Sequence, residues 1–575
     1  MPFLRTHRPV PAILLALSLV FACLLRPAIP LRADDEPVNP DLPVIVINVA
    51  SVQRLLDGAI ATFESADRPE LSETIGGALD KVNDLKGLSR DQSMGLMIYL
   101  SGIVPETVAY FPVSSMDELM KTIEIGPITP RRVGEDRIEI QTPDRTFYGK
   151  VVQDYVFVGT TAASIDRSFK DPTRFAARLA RSYDIAASIN FKSIIPATRD
   201  LFVNLLRSNT ENNLQRRDRE PETAYKIRRA AGMRNVELIE QVVTQGQELT
   251  IGMSLSPSER NLTFELVMTA APGTEFAEYF QEIKGNRSRF AGLLTAEPAL
   301  SASLAWQLDR SAKKMFTEMV SAVEIQLLKD LGEEALTEAV KGNGSNAVRN
   351  LAQVFRATID TGRFDAIFQS VGEPGESFVL LGGVKVADGP TLREAVADIL
   401  TRIKEKPVIA SIRQDVFTHK GVGVHRIEFK PNREEDVNLY GSKPMLYVGV
   451  GDDALWLAFG GESAPAEIRR AIDKSTASVG EAIVSAPFQM VMNFSKWMNI
   501  FDPKKSEEGF AGRARSTFAR GQDSLRLEAL PMDDGLRLRL TLDEAFIRLL
   551  GLQISQQIDR NEEAREKAAN APARN

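Results

Sequence analysis

The chain has 575 residues, 43% of them apolar and 26% charged, a globular composition long enough for two or three domains of ordinary size. Its 77 acidic residues against 70 basic ones leave a net charge of −7, which argues against a general nucleic-acid binder. One cysteine excludes an internal disulfide framework, and three histidines leave little material for imidazole chemistry.

Residues 1–33 read as an export signal. Arg5, His7 and Arg8 form a basic start, and residues 12–25 are almost wholly apolar. A run of about 14 residues is too short to cross a bilayer of roughly 30 Å. Leu31-Arg32-Ala33 precedes the acidic Asp34-Asp35-Glu36, so cleavage is expected after Ala33. Cys23 offers an alternative, a lipid-anchored N-terminus, against which stand the bulky Phe21 and the apolar Leu24-Leu25. No later stretch reaches about 18 uninterrupted apolar residues. The expected mature chain is therefore periplasmic or extracellular, without a transmembrane helix and without cysteine.

From residue 34 the first predicted unit begins. Val44-Ile45-Val46 reads as a strand and Ser51 as an N-cap. Val52, Leu55, Leu56, Ala59, Ile60 and Phe63 then form one apolar helical stripe. Asp136-Arg137-Ile138-Glu139-Ile140 and Asp154-Tyr155-Val156-Phe157-Val158-Gly159 read as strands, followed by a helix carrying Ile165 and Phe169. Asn190-Phe191-Lys192-Ser193 follows. Residues 208–229 are dense in both charge signs and read as a solvated helical arm or mobile loop. The unit closes on the hairpin strands Leu249-Thr250-Ile251-Gly252-Met253-Ser254-Leu255 and Leu262-Thr263-Phe264-Glu265-Leu266.

After residue 296 the same order of features recurs. Leu304-Ala305-Trp306 reads as the opening strand, and Met315, Phe316, Met319, Val320 and Val323 repeat the phases of Leu55 to Phe63. A longer helical stretch, 327–356, is expected to break at Gly342-Asn343-Gly344-Ser345. His425-Arg426-Ile427-Glu428-Phe429 and Leu455-Trp456-Leu457-Ala458-Phe459-Gly460 answer to the earlier strands, and Ile468 and Ile472 to the helix after them. Asn493-Phe494 answers to Asn190-Phe191. The closing hairpin, Leu525-Arg526-Leu527-Glu528-Ala529-Leu530 and Leu536-Arg537-Leu538-Arg539-Leu540, alternates apolar and charged residues about the turn Pro531-Met532-Asp533-Asp534-Gly535. The predicted class is α+β: two tandem, internally duplicated domains, 34–295 and 296–560, each a mainly antiparallel sheet with helices on one face. Residues 561–575 form a polar tail, expected to extend the last helix and then fray into disorder.

Reactive chemistry is scarce in this pattern. The two histidines of the mature chain, His419 and His425, stand without a Gly-x-Ser-x-Gly elbow or a His-Glu-x-x-His pair. His425 matches Asp136 in the first unit, which reads as a tolerant surface position. Gly451-Asp452-Asp453 reads as a hairpin turn rather than a metal site. Gly421-Val422-Gly423 and Gly382-Gly383 lack a Walker-type lysine and fit no nucleotide motif. Trp306, Trp456 and Trp497 read as core residues instead of sugar-stacking platforms. No catalytic, cofactor-binding or metal-ligating residue is assigned, and no cofactor is expected.

The segment Ile103-Val104-Pro105-Glu106-Thr107-Val108-Ala109-Tyr110-Phe111-Pro112-Val113, followed by a helix with Met116, Leu119 and Met120, resembles the opening of uncharacterised exported bacterial proteins carrying a domain of unknown function. The Gly-bounded strand ending at Gly159 fits the same resemblance, whereas Val379-Leu380-Leu381-Gly382-Gly383-Val384 departs from it. The likeness implies export and architecture, and no activity. The expected function is a non-catalytic binding or scaffolding protein of the periplasm or cell surface, with an unknown envelope protein or ligand as partner. Two alternatives stand beside it. One is a hydrolase of envelope glycans working through two carboxylates. The other is a lipid- or peptide-carrying chaperone whose apolar cavity is lined by Met315 and Met319.

Overall fold

The computed structural model describes residues 42–100, 105–218, 220–333, 338–373, 377–430, 434–477, 483–484, 486–501 and 509–569. The expected export signal, with Cys23, lies outside the described residues, as do Ile103 and Val104. The chain is a mixed helix-and-strand protein, 45% helical and 31% strand, built on one large antiparallel sheet. No helix among the described residues is long and apolar enough to cross a membrane.

Ten strands come from the first half of the chain: β1 (Ile45–Val49), β2 (Met94–Tyr99), β3 (Glu106–Pro112), β4 (Thr129–Arg132), β5 (Arg137–Gln141), β6 (Thr146–Val152), β7 (Tyr155–Gly159), β8 (Ile185–Asn190), β9 (Gly246–Ser256) and β10 (Asn261–Ala270). Ten more follow: β11 (Leu300–Gln307), β12 (Arg363–Val371), β13 (Val379–Lys385), β14 (Ile409–His419), β15 (Val422–Phe429), β16 (Met445–Val450), β17 (Ala454–Gly460), β18 (Phe488–Asn493), β19 (Ser524–Pro531) and β20 (Gly535–Asp543). All twenty belong to a single sheet, and the halves meet where β10 pairs with β20, from Asn261 opposite Asp543 to Thr269 opposite Gly535. Read outward from that seam, one side runs β10-β9-β8-β1-β2-β3-β7-β6-β5-β4. The other runs β20-β19-β18-β11-β12-β13-β17-β16-β15-β14, the same order by rank.

Helices cover both faces of this sheet, not one. Alternation along β7 separates Tyr155 and Phe157 from Val156 and Val158. Phe157 packs with Phe169 and Phe175 on what we term the front face, whereas Val156 packs with Leu119 of the helix Met116–Ile123 on the back. In the second half Trp456 and Ala458 meet Ile468 and Ile472 of the helix Ala464–Ala477 in front. Behind, Val448 and Val450 meet Val354 and Leu392. The run Tyr155-Val156-Phe157-Val158 is apolar at every position because neither face is wet. At the Met268–Leu536 end of the seam the back face is covered by the helix Glu275–Lys284, whose Phe276, Tyr279, Phe280 and Ile283 join Met268, Trp306, Met490 and Leu536 in one core.

Local signals set several elements. Ser51 Oγ accepts from the Arg54 amide at 3.1 Å and caps the helix Val52–Ser65. The charged stretch 208–229 falls in a helical arm formed by Pro196–Asn213 and Glu222–Gln245. One expectation needs correction. Gly342-Asn343-Gly344-Ser345 is not a break but lies inside the helix Glu338–Asp360. Glycine in a helix costs only about 1 kcal/mol, and the buried Ala347, Ala352 and Val354 farther along anchor this one. The last helix runs from Glu544 to Ala569, so the tail is helical through Ala569.

A buried ion pair links the halves behind the sheet. Arg234, from the helix Glu222–Gln245, is 2% exposed and places Nη2 2.9 Å from Asp309 Oδ2. Asp309 Oδ1 in turn accepts from the Ala312 amide at 2.5 Å, capping the helix Arg310–Glu333. Arg234→Ala is expected to lose about 3–5 kcal/mol by leaving the Asp309 charge buried alone, read as a lowered urea midpoint. His425, 3% exposed on β15, supplies a pH dependence. Burial pushes its imidazole below the ordinary range, with Asp415 opposing and Arg393 adding to the effect. The unfolded chain therefore takes up the proton more readily, so stability is full above about pH 6.5 and declines as pH falls below it. The wild type is expected to lose more stability than His425→Gln between pH 7.5 and 5.5 in urea titrations.

Candidate functional site

At the seam the front face is left open as a groove of about 530 Å³. Its chemistry follows from strand alternation. On β10, Leu262, Phe264 and Leu266 face back, so Thr263 and Glu265 face front; on β20, Leu536, Leu538 and Leu540 face back, so Arg537, Arg539 and Thr541 face front. β19 adds Arg526 and Glu528, β9 adds Ser254, and Tyr183, just before β8, forms one wall.

Glu265 is the centre of the groove. Only 8% exposed, it accepts from Arg539 Nε at 2.7 Å and from the Tyr183 hydroxyl at 2.7 Å, and Arg537 Nε lies 3.5 Å from its second oxygen. Burial, and then this hydrogen bond to a carboxylate, push the Tyr183 phenol well above its ordinary range. Gly252 makes the contact possible. It lies directly opposite Glu265 on β9, and a Cβ there would overlap the Tyr183 ring. Arg539 also stands directly opposite Glu528, so two carboxylates flank one guanidinium across three neighbouring strands. Arg526 pairs with Asp543 at 2.9 Å. Glu265 and Asp543 are thus paired with arginines at the groove wall, beside the hydroxyl and amide groups of Ser254, Asn261, Thr263 and Thr541.

A smaller front-face cavity of about 310 Å³ lies toward β1 and β2. Val46, Met97, Tyr99, Phe175 and Leu179 give it an apolar lining, and Arg178 pairs there with Glu248.

The remaining side chains considered from sequence lie elsewhere. His419 pairs with Asp473 at 2.8 Å. His425, expected at the surface, is buried, and its Nδ1 accepts from the Asp415 amide at 3.2 Å. Its match Asp136 misled because a residue at the mouth of a strand in one half sits well inside the longer β15 in the other. Gly451-Asp452-Asp453 forms the turn between β16 and β17, with Asp452 paired to Arg393 and Asp453 to Arg289. Trp306 and Trp456 are buried and Trp497 packs partly buried against the same core as Trp306, so none lines the groove. Met315 is buried and Met319 partly so, and neither lines either cavity. Among the described residues no group of three or more His, Cys, Asp or Glu is arranged to hold a metal ion.

Sequence reasoning passed over the groove. The available signal was Glu265 itself, the only charged residue in β10, set amid apolar neighbours. Compared with known proteins, the chain matches no family model, no curated protein and no solved structure.

The Gly252–Tyr183–Glu265 geometry yields a direct test. Gly252→Ala is expected to displace the Tyr183 ring and cost about 1–3 kcal/mol, the range for leaving a buried polar partner unsatisfied. Tyr183→Phe, which removes only the hydroxyl, is expected to cost less. Thermal denaturation of the two variants provides the comparison.

Proposed function

We propose that this is an exported, non-catalytic binding protein made of two duplicated halves, and that the seam groove is its ligand-contact surface. Four observations support the duplication. The ten strands of each half pair in the same rank order. Asn190 donates its amide to Val44 O at 2.8 Å and Asn493 donates to Ala299 O at 2.9 Å, each just ahead of the first strand of its half. Both halves close on a hairpin. Finally, Glu265 and Arg539, each the fourth residue of its final-strand motif, lie opposite one another. On this view 34–295 and 296–560 are sibling units fused through their last strands, and export follows from the signal-like residues 1–33.

The observation that carries the binding function is the groove's pre-set polar lining, anchored by a Glu265 carboxylate already held by Tyr183 and two arginines. Groups fixed before a ligand arrives cost little ordering on binding, and a concave surface with convergent polar groups is the default place for a ligand. A glycan hydrolase is less well supported. Glu265 and Glu528 flank Arg539, but the Glu265 oxygens are already engaged by the Tyr183 hydroxyl and two guanidinium groups, so neither is aimed at a glycosidic oxygen in the groove. A carrier of apolar cargo has one feature in its favour: Ile185, Ile251 and Phe264 on the back face are 38%, 55% and 38% exposed.

A thermal-shift panel of soluble sugars, peptides and fatty acids separates these functions. Binding in the groove predicts stabilisation by a polar ligand in the wild type and its loss in Thr263→Trp, which fills the groove. Stabilisation by fatty acid that survives Thr263→Trp and disappears in Ile251→Asp would favour the carrier. Hits indifferent to both substitutions would sink the groove assignment.

A further inference from the structure

We infer that the Glu265–Arg539 pair encodes which strands join at the seam, so that β10 accepts β20, from its own chain or from a second copy, and rejects another β10. This rests on the duplication proposed above. Leu262-Thr263-Phe264-Glu265-Leu266 and Leu536-Arg537-Leu538-Arg539-Leu540 are matching motifs, and the register puts their fourth residues face to face. Thr263 lies opposite Thr541, and Val267 lies opposite Arg537. Since Thr263 and Arg537 occupy matching motif positions, as do Val267 and Thr541, the pairing has the form of a two-fold contact centred on Glu265 and Arg539.

That symmetry creates a hazard. Two sibling edges able to pair with each other present the same backbone to a copy of themselves. At the centre of a true two-fold contact a residue meets its own twin. In a β10–β10 contact Glu265 would meet Glu265, and in a β20–β20 contact Arg539 would meet Arg539. Directly opposed like charges destabilise an antiparallel pair, and they do so more strongly where water is excluded. Glu265 is 8% exposed, so its twin would be repelled in a partly dry site. Only the mixed contact is complementary, with Arg539 Nε donating to Glu265 at 2.7 Å. The discrimination works by rejecting wrong partners as well as by attracting the right one. The segment between β10 and β11 is the link through which two chains exchange halves without altering the seam.

The test uses the full chain with charge reversals, each in an Arg537→Gln, Glu528→Gln background, so that neither a guanidinium at 265 nor a carboxylate at 539 meets a second like charge. Glu265→Arg and Arg539→Glu are each expected to lower the melting temperature or fail to accumulate as monomer. The double reversal in one chain is expected to return a monomer with most of the melting temperature restored. Co-expression of the two single reversals is expected to give a heterodimer of twice the monomer mass in light scattering, because only the exchanged seams are complementary. Failure of the double reversal to recover stability, or co-expression without a heterodimer, overturns the inference. Either failure leaves the shared strand order, and so the duplication, untouched.

Discussion

The backbone pairing of β10 with β20 is the contact on which the remaining architecture depends. It converts two ten-stranded sheets into one and brings the last strands of two distant stretches of chain into register. The chain has a single cysteine and so no intrachain disulfide, and burial, hydrogen bonds and ion pairs keep this arrangement together. The helix Glu275–Lys284 covers one end of the seam on its back face, with Phe276 and Phe280 fully buried in the core there. The front face, left uncovered, collects the charges that alternation sends there.

Among the ionic contacts that tie the halves together, two differ in kind. Arg234 and Asp309 are almost wholly enclosed, and the aspartate also caps a helix, so removing either partner leaves a buried charge unmet. The Glu265 cluster is open on one side, and its arginines are about a third exposed, so solvent screens part of the attraction. The first contact resembles a rivet between helices. The second holds polar groups in place on a surface that a ligand can reach. A structural pair and a candidate ligand surface thus arise from the same event, the joining of two hairpins edge to edge.

Much of the local structure was legible in the sequence. The β9–β10 and β19–β20 hairpins, the Ser51 cap and the Gly451 turn each rest on interactions within a few residues. The seam was not legible, because Glu265 and Arg539 lie far apart in the chain and nothing local marks them as partners. The alternating Leu and Arg of β20 announced a wet face and a dry one without saying that β10 would continue both. Apolar runs misled in two ways. Tyr155-Val156-Phe157-Val158 packs on two faces, where the expectation had helices on one alone. Matching Val44-Ile45-Val46 to Leu304-Ala305-Trp306 slipped the register: Ile45 pairs with Ile189 as Leu300 pairs with Met492, and Ile189 and Met492 both precede an Asn-Phe step. Strands apolar on both sides carry no alternation to fix their own register. Glu265 could have been found sooner, as the single charge in a strand otherwise fit for burial.

Amide hydrogen exchange across β10 and β20 tests the central claim most directly. If these strands form the middle of one sheet, amides from Leu262 to Met268 and from Leu536 to Leu542 exchange only through global unfolding, as slowly as any in the molecule. Rapid exchange at those amides, matching that of the outermost strands β4 and β14, would show two separate edges there and contradict a single continuous sheet.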